Sequence, residues 1–302
     1  MADSLTSTSP LSVLTVGDGD FTCSLAIRRA YDHKTIHKLI ATSLLPTRED
    51  LVCVYPQSDA VVSELNADES VSILYGVDAT QLHRNPQLQN CQFDLILFHY
   101  PHLGYQEHHD ESSVVHADKH ATLVAHYLDS ARQLLSHSNP HACVHLCLCS
   151  GTAERWKLEE SANRLNLEFH AVGSASRPLL SYYGTNHSGG SVGSIPSRAS
   201  RKGHWLGKFG YRHQPTFPQA TKFRTNVSSS LHYFLRRCNH TKVDKHDGDT
   251  NKCCQSTIQP DEETRSSNPF ECSICKEKFD NEKQLTEHQL APALPIERIA
   301  PP

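Results

Sequence analysis

The sequence predicts an α/β fold: a doubly wound, mostly parallel sheet with helices on both faces, followed by a small finger-like module. Three observations carry this expectation. Near-continuous apolar runs recur along the first 240 residues, as in strands covered on both faces. Helical patterns lie between them, and such alternation builds right-handed parallel units. The first apolar run ends in a glycine turn that opens into a helix-compatible stretch, the usual place for a ligand in such sheets.

Taken in order, the strand candidates are Leu11–Val16, Leu39–Leu44, Val71–Tyr75, Phe93–Phe98, Ala142–Cys149, Leu167–Val172 and Ser229–Arg236. Helical stretches are Cys23–Tyr31, a short Asp59–Leu65, Asp118–Leu135 and Ala153–Leu165. The third is the clearest, with Val124, Tyr127, Leu128, Ala131, Leu134 and Leu135 on one stripe. This assigns residues 11–237 to the α/β domain. Residues 238–268 are polar, charged and aperiodic, which reads as a linker, and 269–292 form the appended module.

The 302 residues accommodate one large domain and an appendage. No apolar run approaches the roughly 20 residues of a membrane span. The opening MADSLTSTSPLS lacks a basic start and an apolar stretch, and no arginine precedes Arg28, so neither a secretory signal nor a transit peptide is expected. Eleven cysteines without a signal read as reduced intracellular thiols. The net charge of −4 is unevenly spread: residues 169–243 hold seven arginines, four lysines and no acid, which leaves −15 elsewhere. Such polarity favours an anionic partner at that end. The competing reading, for residues 185–203, is a solvated Ser/Gly/Lys/Arg loop.

Gly17-Asp18-Gly19-Asp20-Phe21 is the most informative stretch. Thr22 stands where the dinucleotide fingerprint has its third glycine, and two aspartates would repel a pyrophosphate. This argues against a nicotinamide-dependent oxidoreductase. An acidic loop suits a cofactor bearing an ammonium and a sulfonium, which points to S-adenosylmethionine; a plain strand–helix turn is the alternative.

The loop is followed by ATSL (41–44), GVDAT (76–80), FDLILFHYPHLG (93–104) and FGYRHQPTF (209–217). In this order the set resembles the 25S ribosomal RNA uridine-N(3) methyltransferase family over residues 11–237. The resemblance implies a Rossmann-like class I methyltransferase fold with a seven-stranded sheet, S-adenosylmethionine as cofactor, and a uridine of large-subunit ribosomal RNA or the pre-ribosome as substrate. It also implies a nucleolar or nuclear location, with a cytoplasmic one as the alternative. By position, Gly17, Asp18, Gly19, Asp20 and Phe21 would cradle the methionine part of the cofactor, with Asp78 and Ala79 meeting its adenine. His99, Pro101 and His102 would face the transferring methyl group, whereas Asp94 reads as structural. Two positions depart from the family pattern. Leu45 replaces the acid expected to hold the ribose, for which Glu49 or Asp50 is a substitute, and His99 replaces an asparagine. They support a second reading, a non-catalytic RNA- or ribosome-binding adaptor on a decayed methyltransferase domain.

Uridine N(3) is protonated near neutral pH, so methylation requires that proton to be removed or shared. An imidazole suits this task, which makes His99 and His102 the candidates; the rest is in-line positioning. The acid-free segment would hold RNA through its arginines. Trp205, Phe209 and Tyr211 are candidates to stack on a base or to close the sheet, and Phe217 reads as core.

The last module begins F-x-C-x2-C. Cys272, Cys275 and His288 have Cys2His2 finger spacing, with Phe279 and Leu285 at the finger's core positions. The second histidine is absent, because positions 292–294 are Pro-Ala-Leu. The finger is therefore degenerate, or borrows a ligand for Zn2+ from His240, His246, Cys253, Cys254 or water. One lone finger gives too little base readout for a DNA-reading role.

Overall fold

The computed structural model describes residues 9–103, 114–183, 204–213, 230–238, 270–272 and 274–290. Seven strands form one sheet: β1 (Leu11–Val16), β2 (Ile36–Thr42), β3 (Val71–Leu74), β4 (Leu95–His99), β5 (Cys143–Cys149), β6 (Leu167–Ser174) and β7 (Ser230–Arg237). Their spatial order is β3-β2-β1-β4-β5-β7-β6. The β1–β2, β1–β4, β2–β3 and β4–β5 pairs are parallel, and β7 runs antiparallel to both its neighbours. A parallel sheet with one reversed strand next to the edge is the class I methyltransferase topology, in agreement with the sequence-based expectation.

Side chains alternate across the sheet and feed two cores. On one face Leu14, Val16, Ile96 and Phe98 pack against Val124 and Leu128 of α4 (Val114–Gln133) and Leu158 of α6 (Leu158–Arg164). On the other, Val13, Leu39, Leu95 and Leu97 meet Ala26 and Ile27 of α1 (Thr22–Ala30) and Val62 and Leu65 of α3 (Ser58–Asn66). No helix among the described residues is long and apolar enough to cross a membrane.

Several boundaries differ from expectation for local reasons. The helix expected over Ala153–Leu165 is two pieces, α5 (Thr152–Arg155) and α6. Lys157 sits in the left-handed region at φ 51, and the break lets Trp156 stack on His120 with centroids 4.5 Å apart. Helix α2 (Arg48–Val54) was not anticipated; the Thr47 hydroxyl caps it by accepting from the Asp50 N–H at 3.1 Å. Helix α4 begins four residues earlier than expected, and β2 stops at Thr42, before the exposed Leu44.

The C-terminal module pairs Glu271 with Lys278 in an antiparallel bridge and continues into α7 (Glu282–Leu290). Apart from Cys238, the linker expected at 238–268 lies outside the described residues, as do the loop 185–203 and Phe217.

Candidate active site

The carboxyl ends of β1, β2, β3 and β4 share one edge of the sheet, and the Gly17–Phe21 loop lies there. Gly17 has φ +61, and a Cβ would stand 2.6 Å from the Phe98 ring, so glycine is required on two counts. Phe21 also has positive φ, at 61. Its fully buried ring meets Tyr75 edge-on.

Both loop aspartates are buried. Asp18 turns inward and caps α1: its carboxylate accepts from the Ser24 N–H and hydroxyl, both at 2.6 Å, and from the Cys23 N–H at 3.4 Å. Burial, then the charge of Asp20, pushes the Asp18 carboxyl up to about 7. Asp20 accepts from the Thr22 hydroxyl at 2.6 Å and N–H at 3.1 Å, and from Gln57 Nε2 at 3.5 Å. Neither aspartate forms a salt bridge among the described residues. Tyr55 closes over Gly19, and burial with the two carboxylates raises its phenol to about 12. Two buried carboxylates without a lysine or arginine partner fit a cationic group, and the donor set here suits an ammonium or sulfonium better than a phosphate.

Asp78 caps the 3-10 turn of Ala79–Arg84 by accepting from the Thr80 N–H and hydroxyl, both at 2.8 Å. Ala79 is buried beside it. Leu45 is half-buried. Of its expected substitutes, Glu49 is exposed, and Asp50 takes a hydrogen bond from the Thr47 hydroxyl at 2.8 Å in the α2 cap. Asp94 is structural, as expected: it accepts from the Ser12 N–H and from Asn139 Nδ2.

His99 ends β4 inside a group of imidazoles that sequence reading did not assemble. His99 Nδ1 lies 3.2 Å from Cys23 Sγ. The rings of His145, His204, His232 and Tyr211 lie 5.2–6.0 Å from it. His145 Nε2 and His232 Nδ1 share a 2.8 Å hydrogen bond between β5 and β7. Burial, reinforced by mutual repulsion, holds His99, His145 and His232 well below the usual histidine range, and His204 at about 4. All four are therefore neutral at pH 7.

The ring nitrogens of His99, His204 and His232 converge closely enough to raise the question of a metal. The His204 proton answers it. Nδ1 of His204 accepts from the Leu206 N–H at 3.2 Å, which places the ring proton on Nε2 and makes that atom a donor rather than a ligand. His99 Nε2 and His232 Nε2 are buried without a hydrogen-bond partner among the described residues. Such orphaned atoms are rare and suit a polar ligand.

Beyond β4, Pro101 is buried, and the His102 ring lies 4.6 Å from that of His120. His120 donates from Nδ1 to the His116 carbonyl at 2.8 Å and accepts from the Leu103 N–H at Nε2. His120 is thus engaged at both ring nitrogens. Burial lowers His102 to about 4 and His120 to about 3. On the rim, Tyr100 packs on His213 at 4.4 Å. Trp205 is partly buried against Tyr31 and Phe209.

Of the acid-free segment, Arg177, Lys208 and Arg212 are exposed, whereas the last two arginines serve the fold. Arg236 pairs with Glu168 at 2.8 Å. Arg237 donates to the carbonyls of Arg132 and Leu135 at 2.7 and 2.9 Å, capping the end of α4. Cys272, Cys275 and His288 come together on the C-terminal module, beside α4.

Signals for the missed residues were present but non-local. His145 and His232 interrupt apolar strands, where a histidine must find partners in the interior. Their pairing depends on β7 lying against β5, which spacing along the chain does not reveal.

Comparison with known proteins bears on this arrangement. The chain is 30% identical over 152 residues to heavy metal-associated isoprenylated plant protein 41 of Arabidopsis thaliana, covering 50% of this chain and 28% of that protein. Among solved structures, a mutant of the 16S rRNA (adenine(1408)-N(1))-methyltransferase of Catenulisporales acidiphilia aligns with TM-score 0.38 and 10% identity, over 75% of this chain and 87% of that one. A methyltransferase homologue from Pyrococcus horikoshii aligns with TM-score 0.37 and 14% identity, over 76% and 63%. The model of the BMT5-like family, described as rRNA (uridine-N3-)-methyltransferase BTM5-like, matches residues 14–184. That span runs from β1 past β6 and contains the acidic loop, Asp78 and the His99–His102 stretch, and on it the chain belongs to the BMT5-like rRNA (uridine-N3-)-methyltransferase family.

Proposed function

We propose that this protein is an S-adenosylmethionine-dependent RNA methyltransferase acting on N(3) of a uridine in large-subunit ribosomal RNA, in the nucleolus or nucleus. The observation that carries the reading is the buried Asp18–Asp20 pair, without a lysine or arginine partner among the described residues, at the same sheet edge as His99. Gly17, Asp18, Gly19, Asp20 and Phe21 would hold the methionine part of the cofactor, and Asp78 with Ala79 its adenine. S-adenosylmethionine supplies an electrophilic methyl group on a sulfonium, whose positive charge the two carboxylates balance. His99, Pro101 and His102 would border the target base. In the tautomer that donates Nδ1–H to the Cys23 sulfur, His99 Nε2 would present a lone pair that shares the N(3) proton. A histidine near pKa 4, as His102 is, shares a proton by hydrogen bonding more readily than it takes one. RNA would lie over Arg177, Lys208 and Arg212, the exposed cations of the acid-free segment among the described residues.

The test is methyl transfer from labelled S-adenosylmethionine to total RNA, followed by nucleoside analysis. N(3)-methyluridine is the expected product, and Asp20→Ala is expected to abolish cofactor binding in calorimetry. No binding by the unaltered chain at millimolar cofactor overturns the enzyme reading. Leu45, with Asp50 engaged in the α2 cap, favours the second reading, an RNA- or ribosome-binding adaptor. Retained RNA affinity with no methyl transfer selects it.

A further inference from the structure

We infer that His126 of α4 is the fourth ligand of a zinc site whose other ligands are Cys272, Cys275 and His288, so that the metal pins the C-terminal module to the α/β body. The sequence leaves the finger one histidine short. The candidates it offers, His240, His246, Cys253 and Cys254, lie outside the described residues. The structure brings a different histidine to the gap, from a helix about 150 residues upstream.

The four donor atoms lie within 4.8 Å of one another. His126 Nε2 is 3.2 Å from His288 Nε2, Cys275 Sγ is 3.3 Å from His288 Nε2, and Cys272 Sγ is 3.9 Å from His126 Nε2. A tetrahedral zinc with ordinary bond lengths places nitrogens about 3.3 Å apart and sulfur from nitrogen about 3.6 Å. Two thiolates and two imidazoles form a common closed structural set for this ion. The surroundings complete it. His288 Nδ1 lies 3.4 Å from Glu277 Oε2, an outer carboxylate that keeps the proton on Nδ1 and frees Nε2 for metal. Lys276, at φ +65, turns the chain so that its N–H reaches the Cys272 carbonyl at 2.8 Å, while the Cys272 N–H reaches the Glu277 carbonyl. The Phe279 ring packs on His288 at 4.7 Å. A module this small has little apolar core, and a metal is a usual substitute.

The test uses the full chain and Zn2+ or Co2+ alone. One metal ion per chain is expected, with the visible spectrum of a tetrahedral two-sulfur, two-nitrogen Co2+ site. His126→Ala is expected to weaken metal binding at least about tenfold, the scale that even outer-shell partners reach, and to lower the Co2+ band intensity as water enters. His126→Cys is expected to restore a tetrahedral spectrum with added thiolate absorption. Both tryptophans, Trp156 and Trp205, lie in the α/β body, so their fluorescence reports its melting. Zinc should raise that melting temperature in the unaltered chain and not in His126→Ala. Failure of the unaltered chain to take up zinc at micromolar metal overturns the proposal, as does a His126→Ala variant with unchanged affinity and spectrum. None of these readouts requires methyl transfer.

Discussion

Asp18 holds two positions at once, as the acceptor at the start of α1 and as part of an acidic loop, and substitutions separate them. Asp18→Ala removes the cap and is expected to cost about 1–2 kcal/mol, read as a lower urea midpoint. Asp18→Asn keeps an oxygen for the Ser24 N–H and removes the charge, so stability near pH 7 should hold while cofactor affinity falls. Equal losses of stability in the two variants would show that the charge itself is needed at the helix end. The loop was legible in the sequence because its chemistry is contiguous. The inward turn of Asp18 was not, since nothing in GDGDF says which of two aspartates meets the helix.

At the scale of elements, the final residue of β7 secures the final turn of α4. Arg237→Ala should cost about 1.5–3 kcal/mol, the range for hydrogen bonds to a charged group, and leave the salt dependence of RNA binding unchanged. Replacing Lys208 and Arg212 together by alanine should instead leave the urea midpoint in place and flatten the fall of RNA affinity with rising salt. The reverse pattern would remove this division of the basic segment. Composition alone counted all eleven cations alike; among the five described, pairing with Glu168 and capping of α4 set Arg236 and Arg237 apart. Strand positions were legible because buried parallel strands are apolar throughout. The break between α5 and α6 was not, because it answers to Trp156 meeting His120, a contact made between elements.

At the scale of the whole molecule, burial lowers the pKa of eight histidines among the described residues, His83, His99, His102, His120, His145, His204, His213 and His232, and favours their neutral form. Their folded pKa values lie below the unfolded value of about 6.5. The unfolded chain therefore binds more protons as pH falls below 6.5, and stability drops until the folded values, about 4 for His102 and His204 and about 3 for His120, are passed. Asp18 acts oppositely: its carboxyl, raised to about 7, contributes stability below its unfolded value of about 4 that is lost as pH rises through 7. The histidines outnumber this one carboxyl, so the net effect is a loss of stability on acidification below about pH 6.5. Thermal melts from pH 7.5 to 5 should show a falling melting temperature, and a flat profile would contradict the neutral cluster. The topology that builds this cluster also has a consequence in time. Strand β6 ends at Ser174, but its partner β7 begins only at Ser230, and the outer edge of β5 waits for the same strand. At about 5–20 residues per second of synthesis, β6 stands unpaired for about 3–11 s, and His232, the last ring of the site, arrives with the strand that ends the wait.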